Sequence, residues 1–447
     1  MRQNFKFIIV IIMCGSLFGS LSFAKINVNL AKIEAGFSNE VTLSSLLDYA
    51  YHTNPSIQAS KESWKIFIEN YRIGKGYPDP QLMVTYFPSP IETRLGPQDW
   101  NLNFSQPIPF PGKLTQRGKV LEADTRISKL KVDKTVRNIV TSLSSSYYEL
   151  VYIQRAIEIA KANFDLNQEL VKISENKFSQ EKGSIYDISK AQAQTAQIQY
   201  DILLLEELEQ TEKAKINTIL DRDPNAFLGI ARNIQFRNVF YSLNEIYDFS
   251  MEHQEDVLIA EEKIGKADDS IKLSKYDSLP LFKLGLFYAG IGDPDVPSPP
   301  KDAGDDAIGI QFGLTIPIWF GKNKSKVSKV LASKRKAQAE KRQIANKNKE
   351  NISRLWFKLQ NSKRLITLYE GNLLPQSLNS LQTAETWYRE GQGSFADFLE
   401  IQATTYNFQL SLARARADYG KTLVKLEQLA GVVLDRKTES VHEGDKS

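Results

Sequence analysis

Val136, Leu143, Leu150, Ile157, Phe164, Val171 and Phe178 are spaced by seven without a slip. Val132, Ile139, Ser146, Ile153, Ala160, Asn167 and Ser174 form a companion row of smaller, more polar residues. A heptad pattern held this long imposes supercoiled helices. A helix over about 114–178 is about 100 Å long at 1.5 Å per residue, which rules out a compact single layer around one core. Ile352, Leu359, Ile366 and Leu373 repeat the spacing later in the chain.

That recurrence belongs to an internal duplication. Gly183, Ser184, Asp187, Gln192 and Ala193 reappear at an offset of 210 as Gly393, Ser394, Asp397, Gln402 and Ala403. Nearer the N-terminus the offset is 200: Asp48 matches Asp248, Lys75 matches Lys275 and Pro80 matches Pro280. The extra residues fall in Gly290–Asp306, rich in Pro, Gly and Asp, which reads as an exposed loop. The expected division is a leader (1–24), an N-terminal extension (25–41), repeat one (42–230), repeat two (241–431) and a polar tail (432–447). Each repeat should carry a short helix, a second helix entered through a helix-breaking junction (Asn54-Pro55 in repeat one), two strands, one very long helix, a Gly-Ser turn and a last helix. The helices at 55–76 and 184–220 together match the long one in length, so the two can stack end to end beside it.

Two strand pairs interrupt the helices, at about 81–87 with 99–106 and 281–288 with 307–316. Ile308, Ile310, Phe312, Leu314 and Ile316 alternate with Gly309, Gln311, Gly313 and Thr315. Phe282, Leu284, Leu286 and Tyr288 alternate with Lys283, Gly285 and Phe287. A half-buried soluble sheet alternates in the same way. No other segment supplies a second layer, however, and membranes do not tolerate open sheet edges. A transmembrane reading therefore requires several copies to pool their strands. Prolines Pro107, Pro109, Pro111 and Pro317, with Gly112 and Gly321, are expected to end the pairing and turn each strand sharply into helix.

The N-terminus agrees with export. Arg2 and Lys6 precede an apolar run, and Ser22-Phe23-Ala24 supplies the small residues of a signal-peptide cleavage site. Lipidation at Cys14 is the rival processing route. Cys14 is the chain's one cysteine, so cleavage after Ala24 would leave no thiol for a disulfide or a metal site. His52, His253 and His442 lack ligand spacing, and no phosphate loop or nucleophile elbow is present, so neither an enzyme nor a cofactor is expected.

The segments NPSIQASKESW (Asn54–Trp64), SQPIPFPGK (Ser105–Lys113), LLPQSLNSLQTAETWYREGQGSFADFLEIQA (Leu373–Ala403) and ADYGKTLVKLEQLAG (Ala417–Gly431) resemble the TolC-type outer-membrane efflux proteins. The resemblance covers nearly the whole mature chain. It implies a mainly α fold with a small β part, with four strands per protomer building one 12-stranded barrel in a homotrimer. It also implies a helical tunnel across the periplasm, docked on an adaptor (membrane-fusion) protein and an inner-membrane pump. The PFPGK junction is similar to that of members partnered with heavy-metal or multidrug pumps.

The helix-tip turns Gly183-Ser184 and Gly393-Ser394 are then the candidate entrance. Asp397 and Glu400 share one helix face, three residues apart, and in a trimer would form stacked acidic rings. The resemblance assigns such an acidic pair to the closed periplasmic entrance, so the candidate pore gate is Asp397, Glu400 and Asp187, with Lys190 a candidate to pair across helices. Acids at a helix N-terminus are also favoured by the helix dipole alone, and that reading stays open. Lys322, Lys324, Lys326, Lys329, Lys334, Arg335 and Lys336 follow the last strand, and Lys113, Arg117 and Lys119 follow the second. They suit either anionic headgroups of the outer membrane or a solvated helix face. Trp100 and Trp319 are candidate interfacial anchors. The formal net charge of +4 gives no support to nucleic acid as a partner. The expected function is passive export of small molecules or metal ions through an outer-membrane duct. A periplasmic coiled-coil adaptor or rod is the alternative that the heptads alone permit.

Overall fold

The computed structural model describes Leu30, residues 33–232 and residues 236–435. The expected leader with Cys14 and Ala24, part of the N-terminal extension, His442 and most of the C-terminal tail lie outside these residues. A two-residue strand, β1 (Glu40–Val41), precedes helix α1 (Leu43–Thr53) and helix α2 (Pro55–Lys75). Strands β2 (Gln81–Thr93) and β3 (Gly96–Ile108) follow, then α3 (Lys113–Ser179) and α4 (Ile185–Ile219). Strand β4 (Ile230–Ala231) pairs in parallel with β1. The second half runs α5 (Leu243–His253), α6 (Glu255–Tyr276), β5 (Leu281–Ile291), β6 (Ala307–Thr315) and α7 (Phe320–Leu368). A π-helical turn (Tyr369–Leu373), α8 (Leu374–Glu390) and α9 (Phe395–Ala430) complete it.

Local chemistry sets the helix starts. The Asn54 carboxamide accepts from the amides of Ser56 and Ile57, and Pro55 fills the first helical position, where no donor is needed. In the second half, Ser242 and Glu245 form a capping box on α5, and Gln254 caps α6. The same junction residues splice rods together. Asn54 Nδ2 donates to the Ile219 carbonyl (2.8 Å) and Thr53 Oγ1 to that of Leu220 (2.9 Å), so α4 ends on the start of α2. Gly431 closes α9 in the left-handed region (φ 79°) and seats against the backbone of His253 and Gln254. The end-to-end stacking expected from helix lengths is thus present in both halves.

The result is a layer of four parallel rods. The α2/α4 stack and the α6/α9 stack flank α3 on its two sides, and α7/α8 lies beyond α6/α9. At 67 residues, α3 is about 100 Å long. Leu143, Leu150 and Ile157 are buried as the heptads require, but Phe164 and Val171 are half-buried and Phe178 is 48% exposed. The companion row Ser146, Ile153, Ala160, Asn167 and Ser174 stays buried to the tip. Its small side chains let α4 and α9 both close on α3, so there the narrow row forms the seam. In α7, Ile352, Leu359 and Ile366 are buried, but Leu373 falls in the π turn. The next seam positions are Leu374, Leu381 and Tyr388, so one residue has been inserted into the heptad count. Pro375 explains the site: it has no N–H to give to Gly371, and the wider turn accommodates the break.

Strands β2, β3, β5 and β6 form one antiparallel sheet in that order, with β2 and β6 at free edges. All four differ from the expected strands; β2, β3 and β5 run further, and β2 and β3 turn tightly through Arg94-Leu95. Pro107 does not end the pairing as expected. It stands opposite Lys283 within the ladder, and the strand closes only after Ile108, before Pro109 and Pro111. A proline is tolerated there because a ladder asks for a donor only at alternate positions. Gly112 carries the left-handed turn into α3 (φ 85°) against the Tyr276 hydroxyl. Gly321 is no counterpart to it: it lies inside α7 with open space around it, and Pro317 sits in the short link Ile316–Trp319.

Candidate functional site

Register decides what each face of the sheet offers. Directly paired residues share a face. Leu82, Val84 and Tyr86 therefore align with Phe104, Leu102 and Trp100, these with Leu286, Tyr288 and Gly290, and the row continues through Ile310 and Ile308. One level on, Leu284 meets Phe312 and Phe282 meets Leu314. Apart from Gln106 beside Leu284, that face is apolar from edge to edge, and much of it is exposed, with Ile310 at 79%. The opposite face is mixed but mainly polar or small: it carries Asn101, Asn103, Ser105, Lys283, Gln311 and Thr315 together with Met83, Leu281 and Phe287, and Asn103 Nδ2 donates to Gln311 Oε1 at 2.7 Å. An apolar side backed by a mainly polar one is the pattern of a membrane barrel wall. Trp100 lies near the β2–β3 turn, ring against Tyr288 (5.2 Å), while Trp319 (69% exposed) and Phe320 (81% exposed) follow the opposite end of the sheet. The two tryptophans thus bracket the apolar face. Among the described residues no helix is long and apolar enough to cross a membrane.

The other end of the rods holds the helix tips. Ser184 caps α4 by accepting from the Tyr186 amide, and Ser394 caps α9 by accepting from that of Asp397, both at 3.1 Å. Gly183 and Gly393 sit close against the ends of the preceding helices, but neither has the left-handed backbone. That conformation falls three residues before each cap, at Glu181 (φ 59°) and Gly391 (φ 80°).

The two hairpins are joined at these tips. Leu170 of α3, Ala191 of α4, Tyr388 of α8 and Phe395 and Phe398 of α9 form a small common core. Within it the Tyr388 hydroxyl lies 3.0 Å from Ser174 Oγ, and Lys177 Nζ donates to the Tyr388 carbonyl while standing over its ring. Burial raises the Tyr388 phenol. Burial also lowers the Lys177 ammonium, against the opposing charge of Asp187. Arg389 reaches Glu169 at 3.4 Å, and Gln402 Nε2 donates to Asn163 Oδ1 at 2.9 Å.

Asp187 is half-buried on the first turn of α4, its charge acting on Lys177 and Tyr388. Asp397 and Glu400 are exposed on the first two turns of α9, and Asp397 borders a groove with Trp387, Thr383 and Ser394. Lys190 makes no ion pair among the described residues and stands near the Tyr186 ring instead. Sequence reasoning missed Tyr388, Lys177 and Ser174 as the bonds between hairpins. The signal lay in the segment Trp387–Ser394, where a bulky aromatic precedes the tip turn. Among the described residues no group of His, Cys, Asp and Glu is placed to hold a metal ion.

The model of the outer membrane efflux protein family matches residues 95–221 and 247–432. Outer membrane protein TolC of Vibrio cholerae is 20% identical over 359 residues, covering 77% of this chain and 79% of its own. Among solved structures, the Vibrio cholerae outer membrane protein VceC superposes with a TM-score of 0.71 at 18% identity, over 88% of this chain and 96% of its own. The Campylobacter jejuni CmeC outer membrane channel gives 0.72 at 14% identity, over 89% and 87%.

Proposed function

The chain belongs to the outer membrane efflux protein family, and from that premise we propose that it is the outer-membrane channel-tunnel subunit of a tripartite efflux system. The family is one of transport channels and not of enzymes, and its place is the outer membrane. The observation that carries the reading is the four-stranded sheet, apolar across one face and unpaired at both edges. Unpaired backbone groups cost several kcal/mol each in hydrocarbon, so the sheet enters a membrane only when other copies complete it. Three copies give the twelve strands of a small closed barrel. A periplasmic rod would leave the same face and edges bare.

In this reading the rod layer closes with its copies into a tunnel below the barrel. The exposed edges of the layer, Leu203 and Leu208 on α4 and Phe357 and Leu368 on α7, suit protomer contacts. A periplasmic adaptor and an inner-membrane pump supply cargo and energy, since the duct has no energy-coupling chemistry of its own. The tips form the entrance. The bonds from Tyr388 to Ser174 and Lys177, and from Arg389 to Glu169, hold the α8–α9 hairpin against the α3–α4 hairpin in a closed state. Asp397 and Glu400, together with Asp187, are the gate acids.

Cell fractionation tests the placement. The mature protein is expected in the outer membrane, extracted by detergent as a trimer. Release by salt alone as a soluble monomer would refute the channel reading.

A further inference from the structure

Between Lys322 and Lys349 eleven side chains are Lys or Arg, and Glu340 alone is acidic. The function proposed above does not require this. Two of the eleven face inward across the rod layer: Lys334 bonds Asp268 at 2.7 Å, and Lys341 bonds Glu261, both acids on α6. These two lysines fix the direction in which α7 meets its neighbour.

An α-helix turns about 100° per residue. Relative to the Lys334/Lys341 direction, Lys322, Lys326, Lys329 and Lys347 lie roughly a quarter to a third of a turn to one side. Lys324, Arg335, Arg342 and Lys349 lie roughly a quarter of a turn to the other. The two stripes therefore occupy the two broad faces of the rod layer. When the layer closes into a tunnel, one broad face becomes the lumen wall. Either choice lines the lumen with a column of cations about 40 Å long, counted at 1.5 Å per residue.

These charges are not neutralised within the protomer. None of the eight has an acidic partner among the described residues. The acids of the adjacent α6 are already committed: Glu255 to Arg137, Asp256 to Lys134, Glu262 to Arg126 and Asp269 to Lys272, besides Asp268 and Glu261. On the opposite edge of the layer, the α2 acids Glu62 and Glu69 are bonded to Lys65 and Arg72.

We infer that the upper tunnel attracts anions, so that anionic solutes are the permeant class it favours. This rests on the channel reading. Twelve rods about 9 Å apart enclose a lumen about 12 Å in radius. The Debye length is about 30 Å at 0.01 M salt and about 3 Å at 1 M. The cationic wall thus acts on the whole lumen in dilute salt and only on its margin in concentrated salt.

The test is the reversal potential of the full mature trimer in a planar bilayer under a potassium chloride gradient. It is made in the Asp397→Ala, Glu400→Ala background, so that acids at the entrance do not mask the wall. The chloride-to-potassium permeability ratio is expected to exceed one in dilute salt and to approach one near 1 M, a readout that needs no change in α7. Lys→Gln and Arg→Gln replacement of the lumenal stripe is expected to lower the dilute-salt ratio about twofold or more, and replacement of the other stripe to leave it unchanged. A ratio at or below one in dilute salt, or the same ratio in both stripe variants, overturns the inference while leaving the channel intact. A folded trimer that passes no current refutes the channel itself.

Discussion

Single side chains fix the tips. Ser184 and Ser394 were legible as turn residues because the duplicated Gly-Ser points to them, and both are caps. The residues in the left-handed region, Glu181 and Gly391, were not legible, since only one of the pair is a glycine. The pairing of Tyr388 with Ser174 and Lys177 joins positions more than 200 apart in the chain, which no local pattern encodes. Asp397 and Glu400 carry the sharpest residue-level consequence. If three copies close the entrance as proposed, replacing both by Ala removes six acids from it, and planar-bilayer recording is expected to show a larger conductance or a lower potassium preference. Unchanged conductance and selectivity would remove both residues from the gate.

Helices and strands were read well where periodicity is strong. The expected bounds of the long helix differ from those of α3 by one residue at each end. The heptad count failed at Leu373, because Pro375 forces a π turn that shifts the seam by one residue. Strands β2 and β3 were underestimated because their outer parts, such as Pro88–Ile91 and Pro97, carry prolines that read as loop. Helix contact makes two glycines unequal. A Cβ at Gly420 would overlap the Tyr148 ring where α9 crosses α3, whereas one at Gly371 meets nothing. Gly420→Val is expected to lower the melting temperature. Gly371→Ala is expected to be neutral or stabilising by up to about 1 kcal/mol. Thermal unfolding followed by circular dichroism separates the two.

Between α3 and α9, Glu149 accepts from Arg414 (2.7 Å) and from Lys421. Burial would raise this carboxyl, but the two hydrogen bonds and cationic charges outweigh burial and hold it below its ordinary value of 4.5. A depressed carboxyl stabilises the fold fully above its unfolded value and loses that contribution as pH falls through the folded one. Acid denaturation is therefore expected to gain a component below about pH 4.5 that Glu149→Gln lacks. Identical acid profiles in the two proteins would remove the bridge from this role.

At the scale of the molecule, the duplication was readable because matching residues recur at fixed offsets, and the four-rod layer follows from it. Closure was not readable from periodicity: alternation gives a strand two faces but no number of copies, which the family resemblance supplied. The protomer agrees by what it leaves uncovered, an apolar sheet face between Trp100 and Trp319 and two unpaired strand edges. The most direct measurement is single-channel recording of the detergent-extracted oligomer in a planar bilayer. Discrete, long-lived conductance steps are predicted. A folded oligomer that inserts and leaves the bilayer electrically silent, with Asp397 and Glu400 neutralised as well as intact, would contradict a pore built from copies of this chain.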